Sequence, residues 1–161
     1  MGSHRLQYDH ANSNTATRRA RTLMTDLIRM SFSIEKPLHD KLEDLVRRLR
    51  YENRSEFIRD LIRARLVEEE WEGNSEAVAT ITLVYNHHAR RLSDKLIDLQ
   101  HNHHRNVLAV THVHLDAQVC AEAILVRGKA NAIRELAGLL QQQKGVLHAA
   151  VSMSTTGKRL A

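Results

Sequence analysis

The chain has 161 residues, 42% of them hydrophobic, with 24 Lys and Arg against 19 Asp and Glu and a net charge of +5. One proline and six glycines exclude a low-complexity chain, and no apolar run reaches membrane length, so a cytoplasmic protein without a membrane partner is expected. A single cysteine excludes a disulfide framework, fits a reducing compartment and leaves one thiol free to bind metal.

Met1 to about Asp26 is polar and aperiodic, and residues 1–28 read as a disordered extension. Arg29, Ser31 and Ser33 then alternate with Met30, Phe32 and Ile34, the period of a short strand. Pro37 suits the first turn of a helix, and Leu38, Leu42, Leu45 and Leu49 carry it from about Lys36 to Arg50. Tyr51-Glu52-Asn53 is a break. Asn53 or Ser55 can cap a second helix, whose apolar face is Phe57, Ile58, Leu61, Ile62 and Leu66 and which runs to about Trp71. Gly73-Asn74-Ser75 ends it and makes a linker, 73–76.

Strand, helix, helix over 29–72 is too little to fold alone. A lone strand has two unpaired edges, and a segment this short buries too little surface. A second copy remedies both, with two antiparallel strands over four helices and Met30, Phe32 and Ile34 in a shared core. The other face of that ribbon then shows Arg29, Ser31 and Ser33 twice. A two-stranded ribbon fits the major groove of duplex DNA, where Arg reads guanine and Ser several bases. The arginines from Arg47 to Arg65, with Arg54 and Arg59 among them, suit phosphate contact or an ordinary solvated helix; Glu68, Glu69, Glu70 and Glu72 follow as an acidic run.

From Ala77 the pattern changes. Ala77 to Tyr85 reads as a strand with Ala79, Ile81, Leu83 and Tyr85 on one face. Arg90 to His103 reads as an amphipathic helix, and Val107–Leu115 and Gln118–Val126 as strands about a turn at Asp116-Ala117. Arg127-Gly128 reads as a break. Ala130 to Gln142 is a helix with Ala130, Ile133, Leu136, Ala137 and Leu140 inward, and Val146 to Met153 a last strand. The order βαββαβ is ferredoxin-like, so the fold class is α+β; this domain spans 77–154 and a flexible tail follows over 155–161.

The second half holds a concentration of metal-ligand types. His112 and His114 lie two apart on a strand and share a face. Cys120 follows across the turn, and once regular pairing has begun it joins that face only if opposed residue numbers sum to an even total, as His114 with Cys120 would. A two-residue turn would set Val113 opposite Cys120 and turn the thiol away. His101, at the end of the preceding helix, is the obvious fourth donor, from this chain or a neighbour. Imidazole and thiolate suit zinc, copper, iron or nickel, and exclude magnesium and calcium.

The run Asn53-Arg54-Ser55-Glu56-Phe57-Ile58-Arg59-Asp60, behind the strand Arg29–Ile34, resembles a ribbon-helix-helix DNA-binding domain, and most closely that of the NikR family of nickel-responsive regulators. The second half resembles that family's ACT-like metal-binding domain, with Val113 and Leu115 around the strand histidines and a six-residue step from His114 to Cys120. Asn102 departs from a segment that is often all histidine, but it falls on no ligand position. The resemblance implies one Ni²⁺ per subunit, held by His101, His112, His114 and Cys120, with His101 lent by another subunit of a homotetramer built as a dimer of dimers. It also implies a palindromic operator, repression of nickel-uptake genes by the loaded form, and a second cation site whose carboxylates would be Glu56 and Asp60. Bottom-up, that i, i+4 pair could equally belong to an ion-pair ladder with Arg59 and Arg63. No enzyme is expected. The alternatives are a metal enzyme with Glu122 as base, or a ribbon-helix-helix regulator that senses another ligand.

Overall fold

The computed structural model describes residues 27–160 and divides the chain into two compact units, Met1–Leu42 and Glu43–Ala161. Residues 1–26, where most of the expected disordered extension falls, lie outside the described residues. Residues 27–35 carry no regular secondary structure. The strand expected at Arg29–Ile34 is therefore not formed in a single chain, and the reason is physical: nothing offers it a partner edge. Of the residues assigned to a shared core, Met30 and Phe32 stand 85% and 62% exposed, and Ile34 is half-buried.

Helix α1 (Lys36–Arg48) follows and buries none of its residues. Helix α2 (Arg54–Glu72) begins at Asn53, whose side chain accepts a hydrogen bond from Glu56 N at 2.9 Å, so of the two candidate caps Asn53 is the one used. Phe57 is buried and meets the Tyr51 ring edge-on at 5.1 Å. Leu61 and Ile62, on the same helix, remain about half exposed.

The rest is a four-stranded antiparallel sheet in the order β2-β3-β1-β4, with β1 Glu76–Asn86, β2 Val107–His114, β3 Val119–Lys129 and β4 Val146–Thr155. Helices α3 (Leu92–Asn102) and α4 (Ala130–Gln141) complete the βαββαβ order of a ferredoxin-like α+β domain. The inward row of β1 is Ala77, Ala79, Ile81, Leu83 and Tyr85, all buried; α4 buries Ala130, Ile133, Leu136, Ala137 and Leu140. Both rows match the sequence periodicity.

Two features depart from it. Arg127-Gly128 does not break the chain: β3 runs on to Lys129, and Gly128 pairs with Ala77. A Cβ on Gly128 would lie 2.2 Å from Asn106 Nδ2, so the glycine serves a close approach of the preceding loop. Trp71, expected only as the end of α2, is 1% exposed in the sheet domain's core; its indole donates to Ser154 O at 2.9 Å, and Arg134 stacks 5.2 Å from its ring centre.

Candidate metal centre

The hairpin between β2 and β3 sets the site. Asp116 Oδ1 accepts from the backbone of Gln118 at 2.7 Å and of Val119 at 2.8 Å. Those bonds close a turn wider than two residues and hold the Asp116 carboxyl below its ordinary pKa. The ladder then pairs His114 with Cys120 and His112 with Glu122. This is the register that puts the thiol on the histidine face, so Cys120 is not turned away from His112 and His114.

Cys120 is fully buried, whereas His112 and His114 are exposed. The difference follows from strand order. Cys120 lies on an inner strand; the histidines lie on β2, an edge strand. Cys120 Sγ is 3.1 Å from His114 Nδ1 and 3.3 Å from His87 Nδ1. The imidazoles of His112 and His114 are 5.0 Å apart between centres, and those of His87 and His114 are 5.3 Å apart.

Ligand atoms of His87, His114 and Cys120 all fall within 4.8 Å of one another, the one such grouping among the described residues. His87 was not among the residues the sequence suggested. It follows the last residue of β1, and its signal was phase: the inward odd-numbered row of β1 continues through Tyr85 to 87. Its backbone N–H donates to Gln118 O at 3.1 Å, which ties it to the hairpin. His112 lies beside this trio and outside it. His101 is exposed near the end of α3, its ring 6.2 Å from that of His104, and the single chain does not bring it to the thiol.

Burial pushes the Cys120 thiol's pKa up, and the carboxylates of Asp116 and Glu122 add to the effect. Burial pushes the His87 pKa down, and the neighbouring His88, His114 and His112 reinforce it. A thiol beside imidazoles is a donor set that a thiophilic divalent ion can take by displacing the thiol proton. The arrangement fits nickel on donor chemistry.

Elsewhere the candidates are placed as follows. Arg29, Ser31 and Ser33 are exposed. Arg54 pairs with Glu43, and Arg59 with Glu56. Asp60 is held by Arg63 at 3.0 Å and by the Tyr51 hydroxyl at 3.1 Å. Glu56 and Asp60 are thus each engaged with an arginine of α2, as in an ion-pair ladder.

Residues 78–154 match the model of the NikR C-terminal nickel-binding domain, and residues 28–69 match that of the ribbon-helix-helix proteins of the copG family. Over 138 residues the chain is 50% identical to a nickel-responsive regulator of Geotalea uraniireducens and 50% identical to one of Geobacter sulfurreducens, each match covering 85% of this chain and 99% of the relative. A nickel-responsive regulator of Pyrococcus abyssi is 45% identical over 136 residues, 84% of this chain and 99% of the relative. The chain belongs to the family of nickel-responsive regulators, with a ribbon-helix-helix segment ahead of a ferredoxin-like NikR domain.

Proposed function

We propose that the protein is a nickel-sensing, DNA-binding transcription regulator and not an enzyme. It acts as a homotetramer, a dimer of dimers, and when loaded with nickel it binds a palindromic operator and represses genes for nickel uptake. Residues 29–72 form the DNA-binding unit, in which two copies pair their strands and present Arg29, Ser31 and Ser33 to base edges, with Arg54 and Arg59 available to phosphates. Residues 77–154 form the sensing and tetramerisation unit.

One Ni²⁺ per subunit is held by His112, His114 and Cys120 of one copy and His101 of another, and the bound ion supplies a link between copies. The observation that carries this reading is the hairpin itself. It gathers thiol and imidazole at 3.1 Å, with His112 and His87 beside them, yet leaves His101 away from them, so a ligand set that uses His101 in place of His87 needs a second copy. Glu56 and Asp60 are assigned to a second cation site that forms only when their arginine partners are drawn elsewhere, as when Arg59 contacts phosphate. A site whose fourth position is filled from another copy also leaves no open position for water, which argues against the enzyme.

The test is a nickel titration of the metal-free protein, with absorption recorded alongside binding to duplexes selected from a random pool in the presence of nickel. A thiolate-to-nickel charge-transfer band that saturates with DNA binding, and that is lost in Cys120→Ala, is the expected result. DNA binding that ignores nickel, or that survives Cys120→Ala and His112→Ala unchanged, would overturn the reading in favour of another sensed ligand.

A further inference from the structure

The row of β3 that faces the helices reads Cys120, Glu122, Ile124, Val126, and all four are buried. A carboxylate in that row is unexpected on stability grounds. Desolvating it is costly even when it is paired, and an apolar residue of similar size is often as good or better in such a place. Glu122 is nonetheless fully engaged. The Tyr85 hydroxyl donates to one of its oxygens at 3.1 Å, and Gln100 Nε2 donates to the other.

The three residues come from three different parts of the domain. Tyr85 stands on β1 opposite Cys120, Glu122 stands on β3 opposite His112, and Gln100 immediately precedes His101 on α3. The apolar side chains Leu92 and Leu96 also hold α3 to the core, but such contact is non-directional and does not fix a helix's rotation. Hydrogen bonds to a buried carboxylate do fix it.

We propose that Glu122 is a positioning residue for the nickel site: with Gln100 and Tyr85 it sets the angle at which α3 presents His101, and so joins the ligand a copy lends to the three ligands it keeps. This rests on the reading of His101 as a ligand in a neighbouring copy's site. The strut explains why a charged group interrupts the apolar row two residues from Cys120.

The experiment compares variants of the full chain, measuring nickel affinity against a competing chelator and the melting midpoint of the metal-free protein. Glu122→Leu is expected to weaken nickel binding about 10–100-fold, the usual effect of losing a partner that orients metal ligands, with only a modest fall in the metal-free midpoint from the Tyr85 hydroxyl left without its acceptor. Glu122→Gln should recover most of that loss, because its amide oxygen can still accept from Tyr85 while its nitrogen donates to Gln100 once that amide flips. In a His101→Ala background, Glu122→Leu should add nothing, since both act through one ligand.

Wild-type affinity in Glu122→Leu overturns the proposal, as does equal loss in the Leu and Gln variants or full additivity with His101→Ala. If the Leu variant's metal-free midpoint falls steeply, Gln100→Met decides instead: it must weaken nickel binding to the same degree, and wild-type affinity there refutes the strut. The two readings fail differently. Unchanged affinity in His101→Ala removes the shared four-ligand site itself; a weakened His101→Ala beside an unchanged Glu122→Leu removes only the positioning role.

Discussion

Trp71 is the most informative place to perturb this fold, because it belongs to α2 by sequence and to the sheet domain by packing. It is 1% exposed, its indole N–H donates to Ser154 O at 2.9 Å, and Arg134 both stacks on its ring and donates to its carbonyl at 3.1 Å. Truncating a buried Trp to Ala costs about 3–5 kcal/mol in transfer and cavity terms. The Ser154 carbonyl left without its donor adds about 1 kcal/mol. The total for Trp71→Ala, about 5 kcal/mol, is comparable with the whole stability of an ordinary domain, about 5–15 kcal/mol. Trp71→Phe keeps a ring and loses mainly the hydrogen bond and some volume, about 1–2 kcal/mol. Urea unfolding of the metal-free proteins, followed by circular dichroism, measures both. In the wild type the one tryptophan gives a fluorescence curve that should coincide with it. A Trp71→Ala loss below about 2 kcal/mol would show that α2 is not anchored through this residue.

Asp116→Ala should destabilise the hairpin in a pH-dependent way. The folded protein holds this carboxyl below its ordinary pKa, so the stability it contributes is present above the unfolded value and lost as pH falls through the folded one. The gap between wild type and variant in urea midpoint should therefore be open at neutral pH and narrow as pH falls below the ordinary carboxyl range; a constant gap would mean that the carboxylate's bonds to Gln118 and Val119 are not its cause. Gly128→Ala should cost about 1–3 kcal/mol by thermal melting, because its Cβ displaces Asn106 Nδ2 from the bond it makes to Arg127 O at 3.1 Å; Asn106→Ala, which clears the space, should cancel part of that cost when the two are combined.

Much of the sheet domain is legible because its signals are local. The alternation from Ala77 to Tyr85 and the 3.6-residue spacing from Ala130 to Leu140 each describe one element against one core. The parity that set Cys120 opposite His114 was also legible, since a strand offers only two faces. What escaped depends on distant chain. Gly128 reads as a breaker by type, and only the approach of Asn106 explains a glycine inside a strand. Trp71 fits the end of α2 by periodicity, which cannot say that the helix finishes inside another layer's core. His87 was hidden because the strand reading stopped at Tyr85, one step short on the same face. The ribbon strand expected at Arg29–Ile34 needs a second copy on the sequence reading, and in the single chain its residues are irregular.

The layout also constrains how nickel could influence DNA. Cys120 stands opposite Tyr85 near one end of β1, whereas Ser154, which holds Trp71, pairs with Val78 near the other. Seven residues of strand separate them, roughly 23 Å at about 3.3 Å per residue. No side chain spans that distance, and a strand paired on both sides is too stiff to pass on a small local shift by bending. A metal bound wholly within one hairpin would therefore have little leverage on α2. A metal whose ligand set needs two copies is different, because it favours one arrangement of whole domains over another, and each domain carries the end of α2 with it through Trp71. On the proposed reading the size of the response is bounded by the difference in nickel affinity between the two arrangements, most of which would fall on His101, the donor lent by a second copy.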